Sequence, residues 1–369
     1  MTILRTPLFD EHRRLGAKLA PFGGWEMPIQ YQGILAEHLA TRTTCAMFDI
    51  CHMGEIELSG PTAAADLERL LTLSVATLGD GQCRYGYLLR DDGGVLDDLT
   101  CYRFGSDRYW LVVNAATRTT DLAWIQKHTS PTTTVTDLSD TLAKIDVQGP
   151  TSRNLLARAG GDVPDLKYFH FAEHTLFDLP MVISRTGYTG EWGYELYFDA
   201  RHASAIWNAL LDAGIAPAGL GARDTLRLEV GYPLYGHELM ETRTPVGASG
   251  TSFISLHKSF IGSDPVHREV AGGAPQKLVG LALASKRAAR AGDPVHHNGQ
   301  PVGIVTSGSL APSLGHAVAL AYIDTPLATQ DNTFHIQTRG SLLEASLVPL
   351  PFYRHGTARR LPPPSGAIP

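Results

Sequence analysis

The sequence repeats itself, and this repeat is the strongest constraint on how the chain folds. Residues 55–62 (EIELSGPT) return as residues 144–151 (KIDVQGPT), and each copy reads as a strand that a Gly-Pro turn joins to a helix. A second pair of strand–helix units follows in the same order, beginning at 108–114 and 193–199. This order predicts a duplicated α+β module, and chance similarity of short strand–helix joins is the alternative.

Downstream of Gly262 the chain changes to short β-rich runs separated by turns. An Asn-Gly pair at 298–299 is a typical hairpin signal, so this region predicts a small all-β barrel or sandwich. The predicted fold class is therefore α+β. The predicted units are a two-lobed, internally duplicated body at 1–269, a linker at 270–276, a C-terminal β-barrel domain at 277–360 and a disordered Pro-rich tail at 361–369.

Composition and charge limit the classes of function. The chain has 369 residues, 43% hydrophobic and 18% charged, as in an ordinary globular protein. A formal net charge of −6 argues against a general nucleic-acid binder. No apolar run is long enough to span a bilayer, and residues 1–19 carry charges where a signal peptide has its apolar segment. We therefore expect a cytoplasmic protein without membrane or nucleic-acid partners.

Two adjacent carboxylates, Asp97 and Asp98, follow a two-glycine turn at 93–94 and begin a predicted strand. Side chains alternate faces along a strand, so the two carboxylates point in opposite directions and one of them faces inward. An inward carboxylate is costly unless it is paired or in use, which makes the pair a candidate functional group. The alternative is a solvated hairpin end.

Further segments have the residue types of a binding site. Residues 185–195 combine three glycines, three aromatic residues and two carboxylates, which suit a flat ligand with paired N–H donors; a tight hairpin is the alternative. Residues 221–229 predict a helix with two arginines, and the simpler interpretation of their charges is a solvated or interdomain charge network. Residues 170–174 match the H-x-x-E-H zinc pattern, but their strand-like context argues against it. The four cysteines lack zinc or thioredoxin spacing, so we expect reduced, buried thiols and no metal site.

An ordered set of motifs resembles the T-protein family of the glycine cleavage system. The motifs lie at 48–53, 93–99, 112–115, 147–150, 187–191, 221–229, 306–308 and 312–315. The resemblance extends from Thr6 to about Arg354. It implies an aminomethyltransferase that uses tetrahydrofolate, with a multi-lobed folate-binding body and a C-terminal barrel.

The resemblance also implies which residues form the site. Asp98 matches the catalytic aspartate of the family. The matched folate-binding positions are Met53, Tyr85, Asn114, Tyr188, Glu195 and Arg223. Among these, Tyr188 and Glu195 match the pterin contacts, with Glu195 accepting hydrogen bonds from the aminopyrimidine.

The implied reaction takes an aminomethyl group from the lipoyl arm of H-protein. Ammonia leaves, and the methylene group passes to tetrahydrofolate to give 5,10-methylenetetrahydrofolate. The chain departs from the family pattern at Met240, Gly247 and Ser252, where the family usually has an acid, a glutamate and, near Ser252, a tryptophan. Two alternatives follow: a folate-dependent demethylase of the same superfamily, or a non-catalytic folate-binding accessory protein.

Overall fold

A computed structural model describes residues 3–330 and 332–360, so the tail at 361–369 lies outside the described residues. The helices are α1 (Phe9–Arg14), α2 (Ile34–Thr43), α3 (Ala63–Leu70), α4 (Arg118–His128), α5 (Ser152–Gly160), α6 (Ala203–Asp212), α7 (Leu220–Glu229) and α8 (Ser263–Gly272). None of the described helices is long and apolar enough to cross a membrane.

The strands of the body lie between these helices in the sequence, and those of the barrel follow α8. They are β1 (Lys18–Phe22), β2 (Trp25–Gln30), β3 (Ala46–Asp49), β4 (Gly54–Ser59), β5 (Gln82–Leu89), β6 (Val95–Arg103), β7 (Arg108–Val113), β8 (Thr134–Asp137), β9 (Leu142–Gln148), β10 (Phe171–Leu176), β11 (Leu179–Ser184), β12 (Gly193–Asp199), β13 (Ala216–Pro217), β14 (Gln276–Leu283), β15 (Pro294–His297), β16 (Gln300–Ala311), β17 (His316–Asp324), β18 (Thr333–Thr338) and β19 (Ser341–Val348).

The body contains two sheets built on one plan. The strand order is β5-β6-β7-β4-β8 in the five-stranded sheet and β10-β11-β12-β9-β3-β13 in the six-stranded sheet. In both, a hairpin leads to a strand that pairs antiparallel with the first strand of the repeat: β7 with β4, and β12 with β9. Helices α3 and α4 cover the first sheet, and α5 and α6 cover the second. The shared order confirms the duplicated α+β module.

The glycine of each Gly-Pro turn is required by the backbone. Gly60 and Gly149 have φ angles of +122° and +142°, which L side chains rarely adopt. A Cβ atom would lie 2.3 Å from the Thr132 carbonyl oxygen at Gly60, and 2.3 Å from the Thr44 carbonyl oxygen at Gly149. The repeated Gly-Pro pair therefore reflects the same tight strand-to-helix passage in both copies.

The two sheets face each other across a layer of aromatic side chains. Tyr102 and Trp110 of the five-stranded sheet pack with Phe171 and Tyr197 of the six-stranded sheet. The opposite face of each sheet packs under its own helices. Because side chains alternate along a strand, residues on one parity of each strand enter the space between the sheets.

The C-terminal region forms a closed barrel with strand order β14-β17-β16-β15-β18-β19, which confirms the prediction of a β-barrel. Its connection to the body is shorter than expected. Helix α8 continues through Gly272 and β14 begins at Gln276, so only 273–275 separate them, instead of 270–276. The glycines at 272–273 end the helix and do not begin a flexible linker: Gly273, at a φ of +83°, is its cap, and its N–H bonds the carbonyl of Glu269.

Candidate active site

Asp98 lies on the face of β6 that looks toward the other sheet. The hydroxyl of Tyr85 donates to its Oδ2 atom over 2.8 Å, and Nδ2 of Asn114 donates to its Oδ1 atom over 3.0 Å. Asp98 is partly exposed, whereas its neighbour Asp97 is 0% exposed and faces the helices. The pair is therefore not a solvated hairpin end.

Electrostatics make Asp98 a titrating group near neutral pH. Burial and the charge of Asp97 raise the pKa of Asp98 to about 7, against the hydrogen bonds from Tyr85 and Asn114. A carboxyl group with such a pKa is able to exchange a proton with a substrate at physiological pH.

Glu195 on β12 occupies a contrasting environment. Its Oε2 atom accepts hydrogen bonds from the hydroxyls of Thr186 at 2.6 Å, Tyr102 at 3.2 Å and Tyr197 at 3.2 Å. Its Oε1 atom lies 3.4 Å from Nζ of Lys144. Burial opposes ionisation, but the charge of Lys144 and the bond from Thr186 hold the pKa of Glu195 below its usual value. Glu195 is thus a permanent carboxylate with one oxygen left for a ligand.

Arg223 and Tyr188 lie on the side of the site next to Glu195. Nη1 of Arg223 lies 2.7 Å from Oδ2 of Asp146, which pairs across the sheet with Glu195. The Arg223 guanidinium lies 4.9 Å from the centre of the Tyr188 ring. Burial raises the pKa of Tyr188, and the nearby Asp98 carboxylate adds to this effect. Tyr188 therefore lies between Arg223 and Asp98 and is influenced by both.

The structure brings the seven predicted site residues into one region between the sheets. Met53, which follows β3, lies with its sulfur 3.7 Å from Nζ of Lys144. Tyr102 follows Asp98 by four residues on the same face of β6 and reaches Glu195, so about 13 Å of strand separates the two carboxylate sites. The arrangement has a titrating acid at one end and an ionised acceptor at the other.

Sequence reasoning missed two charged residues of this site, Lys144 and Asp146. Both are buried and belong to the repeated stretch KIDVQGP, which was considered only as a repeat. Burial raises the pKa of Asp146 to about 7, with the charge of Glu195 adding to it against that of Arg223. The signal was available: polar residues at 144, 146 and 148 alternate with apolar residues, which places them together on one face of a strand.

Two of the four charged residues at 221–229, Arg227 and Glu229, contact the barrel, as an interdomain charge network requires. Nη2 of Arg227 donates to the hydroxyl of Ser307 on β16 over 2.8 Å, and Oε1 of Glu229 accepts from the N–H of Ser313 over 2.8 Å. These bonds join α7 to the barrel. Arg223, on the same helix, is the exception that turns toward the site.

The three departures from the family pattern have different locations. Met240 lines a cavity of about 300 Å³ between the body and the barrel. The carbonyl of Gly247 accepts from the N–H of Leu278 on β14. Ser252 belongs to a single turn, Thr251–Phe253, whose Phe253 ring lies 4.8 Å from that of Tyr85. An aromatic ring thus remains beside Tyr85, which bonds Asp98, although the tryptophan is absent.

Comparisons with known proteins agree with this architecture. Residues 8–258 match the family model of the GCVT N-terminal domain, and residues 276–354 match that of the glycine cleavage T-protein C-terminal barrel domain. An aminomethyltransferase of Rubrobacter xylanophilus is 44% identical over 370 residues, covering 99% of this chain and 98% of the relative. An aminomethyltransferase of Bacillus subtilis is 42% identical, covering 95% of this chain and 99% of the relative.

A solved structure gives the same result. The crystal structure of glycine cleavage system aminomethyltransferase T from Bartonella henselae superposes with a TM-score of 0.92 at 33% identity, covering 96% of this chain and 99% of that one. The similarity extends through both the duplicated body and the barrel. The chain therefore belongs to the aminomethyltransferase family of glycine cleavage T-proteins.

Proposed function

We propose that this protein transfers the methylene carbon of an aminomethyl group, carried on the lipoyl arm of H-protein, to tetrahydrofolate. The products are 5,10-methylenetetrahydrofolate, ammonia and the dihydrolipoyl carrier. The observation that supports this most directly is Asp98, a partly exposed carboxyl group with a pKa near 7, held by Tyr85 and Asn114 on the face that also leads to Glu195.

The proton balance of the transfer explains why such a group is needed. The C–S and C–N bonds of S–CH2–NH3+ break, and two new bonds join the methylene carbon to N5 and N10 of the folate. The two folate N–H protons finish on the thiol and on ammonia. Asp98 is suited to accept and return one of these protons and to stabilise positive charge that develops on the methylene carbon.

The remaining site residues are assigned to binding. In this proposal Oε1 of Glu195 accepts the paired N–H donors of the aminopyrimidine ring, since its other oxygen is already occupied by three hydroxyls. Tyr188, Tyr85 and Met53 contact the flat ring and its surroundings, Asn114 holds Asp98, and Arg223 supports Tyr188 from the side of Asp146.

We also propose that the chain divides into a folate-binding body at 1–269 and a barrel domain at 277–360. We further propose that the protein acts in the cytoplasm. A reducing compartment is supported by four free, buried cysteines among the described residues.

The test is ammonia release from aminomethylated H-protein, with and without tetrahydrofolate, for the natural protein and Asp98→Asn. Asp107→Asn, at an exposed aspartate in the turn between β6 and β7, is the matched control. We expect folate-dependent release that is lost in Asp98→Asn and kept in Asp107→Asn. A folded, folate-binding protein without folate-dependent release would overturn the proposal and lead to methylated small donors as the next substrates to assay.

A further inference from the structure

A second pair of acids lies directly behind Asp98. Asp97 on β6 and Asp121 on α4 are both 0% exposed. The backbone N–H of Asn114 donates to Oδ2 of Asp97 over 2.9 Å, and its Nδ2 donates to Oδ1 over 2.8 Å. The same Nδ2 atom donates to Oδ1 of Asp98 over 3.0 Å. One amide group therefore connects the buried carboxylate to the partly exposed one.

Asp121 completes this arrangement as a second fully buried acid. No hydrogen-bond donor reaches either of its carboxyl oxygens, although both are buried. Within the described residues, no cationic side chain pairs with Asp97 or Asp121, and Arg118 at the start of α4 bonds Asp137 and Asp140 instead. The side chains of Asp97 and Asp121 are within hydrogen-bond reach of each other. Two buried acids in such contact and without a cation hold one proton between them. Burial and the charge of Asp97 raise the pKa of Asp121 to about 10, which places that proton on Asp121.

We propose that Asp121 is a positioning residue for this site: its carboxyl group donates to the Asp97 carboxylate, and Asp97, through Asn114, orients Asp98. Because Nδ2 of Asn114 donates to both Asp97 and Asp98, the amide has only one orientation, with its Oδ1 atom turned away from the two carboxylates. If Asp97 were protonated instead, it would be a weaker acceptor for the two hydrogen bonds from Asn114, and the amide would be held less firmly. This inference rests on the proposed function.

The other titratable groups that face the acid cluster are four tyrosines, namely Tyr85, Tyr87, Tyr188 and Tyr235. Tyr85 comes from β5 and bonds Asp98, and Tyr235 follows α7 and donates to the carbonyl of Val95 over 3.3 Å. Burial and the charges of Glu241 and the three aspartates raise the pKa of Tyr235. Burial and the charge of Asp98 raise the pKa values of the other three tyrosines. All four therefore stay neutral, and only the aspartates exchange protons near neutral pH.

The kinetic test compares Asp121→Asn with Asp121→Leu. The asparagine amide still donates to Asp97, so we expect it to keep at least about a third of kcat. Leucine removes the donor, so kcat should fall at least about tenfold, with the KM for tetrahydrofolate changed by less than about threefold. In Asp121→Leu the proton moves to Asp97, and the acidic limb of the pH profile shifts to lower pH. Equal kcat values and equal pH profiles for the two variants would overturn the proposal.

A spectroscopic test needs neither activity nor a folded Asp121→Leu variant. Protein labelled with 13C at the aspartate carboxyls should show one protonated carboxyl group at about pH 8 in the natural chain. That signal should persist in Asp98→Asn and disappear in Asp121→Asn. No protonated carboxyl at that pH, or one that survives in Asp121→Asn, would contradict the assignment even if the transfer reaction itself is confirmed.

Discussion

The two sheets of the body share one strand order, yet they hold their carboxylates in opposite electrostatic settings. Asp98 in the five-stranded sheet has an anionic neighbour, Asp97, and the charged form of Asp98 is stabilised by hydrogen bonds from Tyr85 and Asn114. Glu195 in the six-stranded sheet has Lys144 beside it and Arg223 nearby. A duplicated module has thus produced one group that titrates near neutral pH and one that stays ionised, because cations lie beside Glu195, whereas Asp98 pairs with no cationic side chain of the described residues.

The largest expected effect separates chemistry from binding at Asp98. Asp98→Asn should lower kcat by about 10²–10⁴-fold, because the amide cannot exchange a proton. The KM for tetrahydrofolate should stay within about threefold, measured by steady-state ammonia release. If kcat and folate binding were lost together, Asp98 would be a binding group and the contrast between the sheets would disappear.

The second prediction removes the cation from the other sheet. Lys144→Met should lower the free energy of unfolding by about 3 kcal/mol in urea titrations at neutral pH, since Glu195 loses its buried partner. The pKa of Glu195 is held low in the folded state, so its contribution to stability is present above the ordinary glutamate pKa and is lost as the pH falls. The difference in free energy of unfolding between the natural protein and Lys144→Met should therefore become smaller at acidic pH. Lys277→Met, at an exposed lysine of β14, is the matched control and should change stability little.

The third prediction concerns the ionised acceptor itself. Glu195→Gln should weaken tetrahydrofolate binding by about 10–100-fold, the loss of a charge-assisted hydrogen bond, measured by calorimetry. Its kcat at saturating folate should change less than that of Asp98→Asn. Glu344→Gln on the exposed side of β19 serves as the control. Unchanged affinity would show that tetrahydrofolate does not bond Oε1, the Glu195 oxygen that accepts from none of the three hydroxyls.

The smallest effect has the opposite sign. The pKa of Asp98 is raised to about 7 in the folded state, so the natural protein loses stability as the pH rises from about 4 to 7. Asp98→Asn should therefore be more stable than the natural protein by about 1–2 kcal/mol above pH 7, measured by thermal unfolding. The difference should shrink toward pH 4. A variant that is less stable at every pH would mean that the charged carboxylate stabilises the fold.

Local sequence patterns predicted much of this architecture because their signals are short-range. The Gly-Pro turns are marked by glycines that adopt a positive φ angle, and the Asp97–Asp98 alternation follows from strand geometry. The barrel was predicted from the spacing of its β-rich runs and turns. The linker was placed too early, because glycines that end a helix and glycines of a flexible connection look alike in a sequence.

The grouping of the site residues depends on which sheet faces meet. The roles of Lys144 and Asp146 became visible only when β9 was seen beside β12, and those of Arg227 and Glu229 only when the barrel was seen against α7. The same is true of Asp121, which lies 23 residues beyond Asp98 and meets Asp97 through helix packing. Burial and pairing determine pKa values, and both are products of contacts between distant segments. The sequence alone determined the strands, turns and acidic residues of the site. Tertiary packing decided the electrostatics that distinguish Asp98 from Glu195, because it sets burial and charge pairing.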